Sequence, residues 1–264
     1  MLIKYIVLGI IQGFTEPLPI SSSGHLMIFK ELFKSKILND MNFEIIVNFG
    51  SLLAILYLYK NEIIDIIKDF FLYLKTKNKK YEINYKYSWL IVIGTIPAVI
   101  FGLFIKDFIE NNFNTKLVGL MFIITSLLLY MIKDIKGKKE KKDIKCIDAL
   151  KIGLFQALAL FPGISRSGAT IVGAMKCDLK RETALNFSFM LYIPISIATF
   201  VLGISDLINT NSKLIIPYLI SMIISSIITY YSTKLFINIM KKGKLIYFSI
   251  YCFVIGILTF IFIK

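Results

Sequence analysis

Six stretches of the chain, near residues 43–59, 88–105, 117–132, 187–204, 214–233 and 245–263, are apolar almost throughout. With some tilt or snorkelling at the flanks, each is long enough to cross a hydrocarbon layer of about 30 Å. Two further apolar stretches, about 2–28 and 147–174, are broken midway by Pro, Gly, Ser and charge. Such backbone survives at membrane depth only where protein or a water-filled cavity shields its polar groups, so each predicts a re-entrant helix-loop-helix hairpin. The expected fold is therefore all-α, a polytopic membrane protein of six transmembrane helices plus two re-entrant hairpins. The first hairpin carries Gln12 and Glu16 and has no small-residue cleavage site, so it reads as part of the mature protein and not as a signal peptide. Pro97, Pro194 and Pro217, inside or beside the later spans, predict kinks.

Composition agrees with the pattern, since 56% of the 264 residues are hydrophobic, too many for a soluble surface. The net charge of +14 raises the question of nucleic acid, but the lysines cluster between spans instead of forming a basic domain. They read as topology markers and contacts for anionic lipid, and no nucleic-acid partner is expected. If each hairpin returns to the side it entered from, loops at 60–87, 133–151, 176–181 and 234–244 share a side and carry 22 Lys and Arg. The other side holds eight: Lys4, Lys30, Lys34, Lys36, Lys106, Lys116, Lys213 and Lys264. The positive-inside rule makes the first set cytoplasmic and puts both termini and the 30–42 loop outside. Cys146, Cys177 and Cys252 show no metal spacing, and this topology leaves the first two as reduced cytosolic thiols.

A shift of 144 positions lays Gly9, Gln12, Ile20, Ser21, Ser23 and Gly24 on Gly153, Gln156, Ile164, Ser165, Ser167 and Gly168, and Asn42-Phe43 on Asn186-Phe187. One integral membrane domain made of two repeats follows, 1–132 and 147–264, each a hairpin plus three spans, joined by a lysine-rich connector at 133–146. Three is odd, so the second half sits inverted in the bilayer and the two hairpins enter from opposite faces. The copies differ where chemistry is expected. The first has Glu16 and His25 where the second has Leu160 and Ala169, and the second has Arg166 where the first has Ser22.

Gln12 and Glu16 are four apart and share a helix face. Ser21, Ser22, Ser23 and Gly24 follow Pro17 and Pro19 and can cap a new helix starting near His25, whose backbone amides form an anion site. The matching FPGISRSGAT, residues 161–170, offers the same amides plus Arg166, whose planar fork suits two phosphate oxygens. Together the two helix starts, Ser21, Ser23 and Gly24 in the first copy and Ser165 to Gly168 with Arg166 in the second, describe a diphosphate clamp. A carboxylate beside a diphosphate needs a bridging cation, so Glu16 points to a divalent metal, Mg²⁺ or Ca²⁺. A serine hydroxyl needs a base, and His25 is placed near Ser22 and Ser23 to supply one. Glu16, Ser22, His25 and Arg166 are thus the catalytic candidates for cleaving a diphosphate. The plainer alternatives are an ion pair between Glu16 and Arg166, and a capping or packing role for His25. Gln156, Asn48 and Ser188 read as interhelical hydrogen-bonding groups, with a Gln156→Ala change expected to be mild.

QGFTEPLPISSSGHL and FPGISRSGAT resemble the two signatures of the bacterial undecaprenyl-diphosphatase family, integral membrane enzymes associated with bacitracin resistance. The likeness extends to WLIVIGTIPAVIFG from Trp89 and FSFMLYIP from Phe187, and so runs nearly end to end. It implies a hydrolase of the bacterial cytoplasmic (inner) membrane that converts undecaprenyl diphosphate to undecaprenyl phosphate and inorganic phosphate. The site would open to the extracytoplasmic side, the carrier would be recycled for cell-wall synthesis, and bacitracin would lose its target. By position it assigns Glu16 and Gln12 to the metal, Ser22 and His25 to phosphoryl transfer, and Arg166, Ser165, Ser167 and Thr170 to phosphate. Gln12 stands where many members have Glu, Pro17 where an aromatic is common, and Ser23 where Thr is common. The attacking group stays open between Ser22, His25 and water, with Ser22 activated by His25 favoured. Expected partners are the membrane, the lipid diphosphate and, optionally, a second copy in a homodimer. The rival reading is a polyprenyl-phosphate transporter or flippase, because inverted repeats with broken helices are also the layout of carriers.

Overall fold

The computed structural model describes residues 2–33, 41–208 and 212–263. Lys34, Lys36, Lys264 and much of the 30–42 loop lie outside the described residues, as does the side chain of Lys106. The described chain is helical: α1 (Leu2–Thr15), α2 (Ser22–Phe33), α3 (Met41–Leu58), α4 (Lys60–Thr76), α5 (Glu82–Asn112), α6 (Thr115–Met131), α7 (Cys146–Leu158), α8 (Arg166–Lys176), α9 (Arg181–Ile208), α10 (Ser212–Lys241) and α11 (Ile246–Phe262). The breaks expected in the first and second apolar stretches fall between α1 and α2 and between α7 and α8. Pro97, Pro194 and Pro217 lie inside α5, α9 and α10.

Among the described residues three helices are long and apolar enough to cross a membrane, Lys79–Ile105, Arg181–Ile204 and Ser212–Lys241, and a fourth is counted if Asn42–Leu58 and Lys60–Thr76, bent by 74°, form one broken span. α6 and α11 are apolar but have only 17 residues each. The 60–87 stretch is not the loop that its lysines suggested. Ile63, Ile64, Ile66, Ile67, Phe70, Phe71 and Leu74 recur at helical spacing and make α4 amphipathic, with only Ile66 buried.

Small residues let the long helices approach one another, as membrane packing favours. A Cβ at Gly9 of α1 would lie 2.8 Å from the Ser221 carbonyl oxygen of α10, and one at Gly153 of α7 would lie 2.4 Å from that of Gly94 in α5. Gly119 and Gly256 bring α6 and α11 together in the same way. Hydroxyls stitch the contacts: Ser221 donates to the Tyr5 carbonyl at 2.9 Å, Ser225 to that of Val47 at 2.8 Å, and Ser249 to that of Ser126 at 2.9 Å. Each broken hairpin thus has its first helix laid along a long helix from the other half of the chain.

The lysine-rich stretches meet at one end. Lys141 pairs with Glu62 at 3.1 Å, Lys139 with Asp148 at 2.9 Å, and Lys180 with Glu140. Arg181 donates to the carbonyls of Ile135 and Lys133, both at 3.1 Å, and packs on Gly243. The connector is therefore folded down against the neighbouring helix ends.

Candidate active site

Pro17 and Pro19 have no amide hydrogen to continue α1, so the chain turns through 16–20 and restarts as α2 at Ser22. Ser21 takes a left-handed conformation, φ 66°, and its hydroxyl accepts from the Gly24 amide at 3.3 Å. In the second hairpin Ser165 caps α8 in the same manner, accepting from the Gly168 amide at 3.1 Å. The two capping serines are repeat mates, and their turns touch. The Gly163 amide donates to the Ser21 hydroxyl at 3.2 Å, and the Ser167 hydroxyl donates to the Leu18 carbonyl at 2.9 Å. Gly163 has φ 99°, and a Cβ there would lie 2.6 Å from the Val118 carbonyl oxygen of α6. Thr125 of α6 braces this turn, donating to the Gly163 carbonyl at 3.0 Å and accepting from the Ser165 amide at 3.2 Å.

Glu16 stands at the junction, 8% exposed. Gln12 donates to its Oε2 at 2.9 Å, as the four-residue spacing predicts, and the Ser22 hydroxyl donates to the same oxygen. The Arg166 guanidinium pairs with Oε1 and lies 3.7 Å from the centroid of the Tyr192 ring. The Tyr192 hydroxyl donates to Asn48, at 3.2 Å to its carbonyl oxygen and 3.4 Å to Oδ1. The 144-residue shift sets Asn48 on Tyr192, so this contact joins repeat mates. Glu16, Ser22 and Arg166 face one cavity of about 190 Å³, which Asn48, Tyr192 and Gln156 also line.

Of the residues expected in the clamp, Ser21, Ser23, Ser165 and Arg166 line this cavity. Ser167 is committed to the Leu18 carbonyl, Gly24 packs on Phe122 and Gly163, and Gly168 packs on Ser165 and Pro19. Thr170 does not reach the cavity wall, because its hydroxyl is 2.5 Å from that of Ser188 on α9 and also donates to the Arg166 carbonyl. The expected Ser22–His25 pair does not form. His25 Nδ1 bonds the Ser21 carbonyl at 2.7 Å and Nε2 meets the Tyr251 hydroxyl of α11 at 2.7 Å. The ring lies edge-on to Phe122 and stacks on Tyr251, outside the lining of the cavity, and Ser22 finds its acceptor in Glu16 instead. The plainer reading of Glu16 and Arg166 as an ion pair is correct as geometry, but the pair sits at a cavity with Ser22 and is not sealed away.

Asn48 and Ser188 make the interhelical bonds expected of them, whereas Gln156 does not. Neither of its amide atoms has a hydrogen-bond partner among the described residues. Tyr192, Thr125 and Tyr251 were not singled out from sequence. For Tyr192 the available signals were its place in FSFMLYIP and its register with Asn48.

For a divalent metal the test is the donor set. Among the described residues no three His, Cys, Asp or Glu side chains gather. Glu16 with the Gln12 amide oxygen supplies hard oxygen donors. That fits Mg²⁺ or Ca²⁺ of the kind that keeps water and substrate phosphate as its remaining ligands.

Several membrane-length apolar helices, packed around a buried carboxylate–guanidinium pair with a serine against it, define a multi-pass membrane protein with a polar site inside its helical body. Residues 5–258 match the family model described as "Bacitracin resistance protein BacA", and the chain belongs to that family. It is 45% identical over 264 residues to "Undecaprenyl-diphosphatase 1" of Bacillus cereus, covering 99% of this chain and 97% of the relative. It is 46% identical over 266 residues to the protein of that name from Bacillus licheniformis, covering 99% and 98%. With "Undecaprenyl-diphosphatase 1" of Halalkalibacterium halodurans it shares 42% identity over 262 residues, covering 98% and 95%.

Proposed function

We propose that this chain is a phosphatase of the bacterial inner membrane that hydrolyses undecaprenyl diphosphate to undecaprenyl phosphate and inorganic phosphate. One observation carries the reading: Ser22, its hydrogen-bond acceptor Glu16 and the guanidinium of Arg166 meet at one cavity, in a chain whose relatives bear the diphosphatase name. A diphosphate head entering the cavity takes the Arg166 fork from Glu16, and the first-turn amides of α2 and α8 add donors to the anion. Ser22 Oγ attacks the terminal phosphorus while the bond to the bridging oxygen breaks. The Ser22 proton passes to Glu16 and from there to the departing lipid phosphate. Water then attacks the phosphoserine, gives a proton to Glu16, and releases inorganic phosphate as Ser22 recovers its hydrogen. His25 acts one step removed, holding the Ser21 carbonyl so that the turn presents Ser22. Glu16 and Gln12 would hold the divalent cation, which when bound neutralises part of the diphosphate charge.

The same reading takes the two broken hairpins as re-entrant from opposite faces, within six spans and an inverted repeat of 1–132 and 147–264. The reciprocal packing of α1 on α10 and α7 on α5, and the touching hairpin turns, support it. At 17 residues α6 and α11 are at the short end of what spans a bilayer. The lysine-rich end is cytoplasmic and the cavity opens outward. The test is phosphate release from a prenyl diphosphate by the purified, detergent-solubilised protein. Release that stops with a chelator and returns with Mg²⁺ or Ca²⁺ is expected. No release under any metal overturns the function.

A further inference from the structure

We propose that Gln156 holds the lipid-side phosphate of the diphosphate, the one that stays on the prenyl chain. The inference rests on the phosphatase reading above. Gln156 is 2% exposed and lines the cavity, yet neither its Nε2 nor its Oε1 has a hydrogen-bond partner among the described residues. Buried amides without partners are rare in folded proteins, and each calls for a ligand or a water.

The repeat explains why this amide is left over. Its mate Gln12 donates to Glu16, four residues on. Four residues after Gln156 the chain has Leu160, so the second copy keeps the amide and lacks the carboxylate that would occupy it. Leu160 also lines the cavity, as do Ala159 and Ile195. Gln156 thus shares its own helix end with the apolar Ala159 and Leu160, the remaining lining includes the hydroxyls of Ser196 and Thr199, and Arg166 with Glu16 forms the charged part. A prenyl diphosphate has the matching order: a terminal phosphate to be attacked, a second phosphate, then hydrocarbon. With the terminal phosphate at Arg166 and Ser22 and the first isoprene unit against Leu160, the amide of Gln156 falls to the phosphate between them. Nε2 donates to a non-bridging oxygen, and Oε1 accepts from that phosphate when it is protonated, or from water. A neutral amide also suits a group that must leave, because a second cation there would grip the monophosphate product as firmly as the substrate.

Four measurements on the detergent-solubilised full chain decide the matter: KM and kcat for a prenyl diphosphate, inhibition by the prenyl monophosphate, inhibition by inorganic phosphate, and melting temperature. Gln156→Leu is expected to raise KM and the monophosphate inhibition constant together by about tenfold, the size of one hydrogen bond to a charged group. Phosphate inhibition, which probes the Arg166 end, stays as in the wild type, and kcat stays within a few-fold. The Leu variant melts no lower than the wild type, because an unsatisfied amide has been replaced by hydrocarbon. Gln156→Glu raises KM further by placing an anion against an anion, and Gln156→Asn gives an intermediate value. Wild-type KM and monophosphate inhibition in Gln156→Leu overturn the proposal. So does a lower melting temperature with all constants worsened alike, which is the mark of a packing residue. If the wild type releases no phosphate, the phosphatase reading falls by itself. Melting shifts with the monophosphate in the same variants then decide whether Gln156 binds it.

Discussion

Glu16 holds three partners at once, Gln12 and Ser22 on one carboxylate oxygen and Arg166 on the other. Glu16→Gln is therefore expected to lower kcat for phosphate release by about 10²–10³-fold, comparable to removing one preorganised electrostatic partner. Arg166→Lys keeps the charge and loses the two-pronged donor, and a loss of more than about tenfold is expected. Full activity in that variant would remove the clamp. His25→Ala is expected to lower activity through the turn, with Tyr251→Phe doing the same more weakly, since the tyrosine hydroxyl meets the other imidazole nitrogen. A histidine serving Ser22 directly would not need that tyrosine. Local spacing was enough to find Gln12 with Glu16 and the capping serines, because those bonds run within one or two helical turns. It failed for His25, whose second partner is 226 residues away, and for Thr170, whose hydroxyl is taken by Ser188 on another helix. The idle amide of Gln156 was missed for the same reason, although Leu160 in place of a carboxylate was a legible hint.

At the scale of elements, the two hairpins are held tip to tip through positions that tolerate no side chain. Gly163 combines φ 99° with a close carbonyl. Gly163→Ala is expected to cost about 1–3 kcal/mol of stability and to lower activity by displacing Arg166, read as a melting shift and a phosphate assay on the same preparation. The breaks in both hairpins were visible in the sequence because proline and glycine act locally on the backbone. α4 was not, because the seven basic residues of 60–87 mark a polar, solvent-facing stretch whether it is loop or helix, and only one residue of its apolar face, Ile66, is buried. The apolar runs 117–132 and 245–263 locate α6 and α11 to within two residues at each end, and Asn114 caps the first of them.

Across the molecule, the ion pairs and backbone bonds that gather Glu62, the connector, Lys180 and Arg181 at one end agree with counting those lysines to one side. Cys146 is exposed at that end. In a variant with Cys177 and Cys252 replaced by alanine, an impermeant thiol reagent is expected to label Cys146 only after the cell is opened. Labelling of intact cells would reverse the orientation. The shared offset of 144 was readable, but the exchange of partners between the halves was not, because repetition in sequence says nothing about which copy a helix leans on. That exchange has a temporal side. α1 is made first, and the helix that flanks it, α10, begins only at Ser212. While the ribosome is still translating the second half, the glutamate and serine of the first have no arginine to face, and α1 lacks the long helix along which it comes to lie. A chain released early would carry half of a reaction centre into the lipid with nothing to close it.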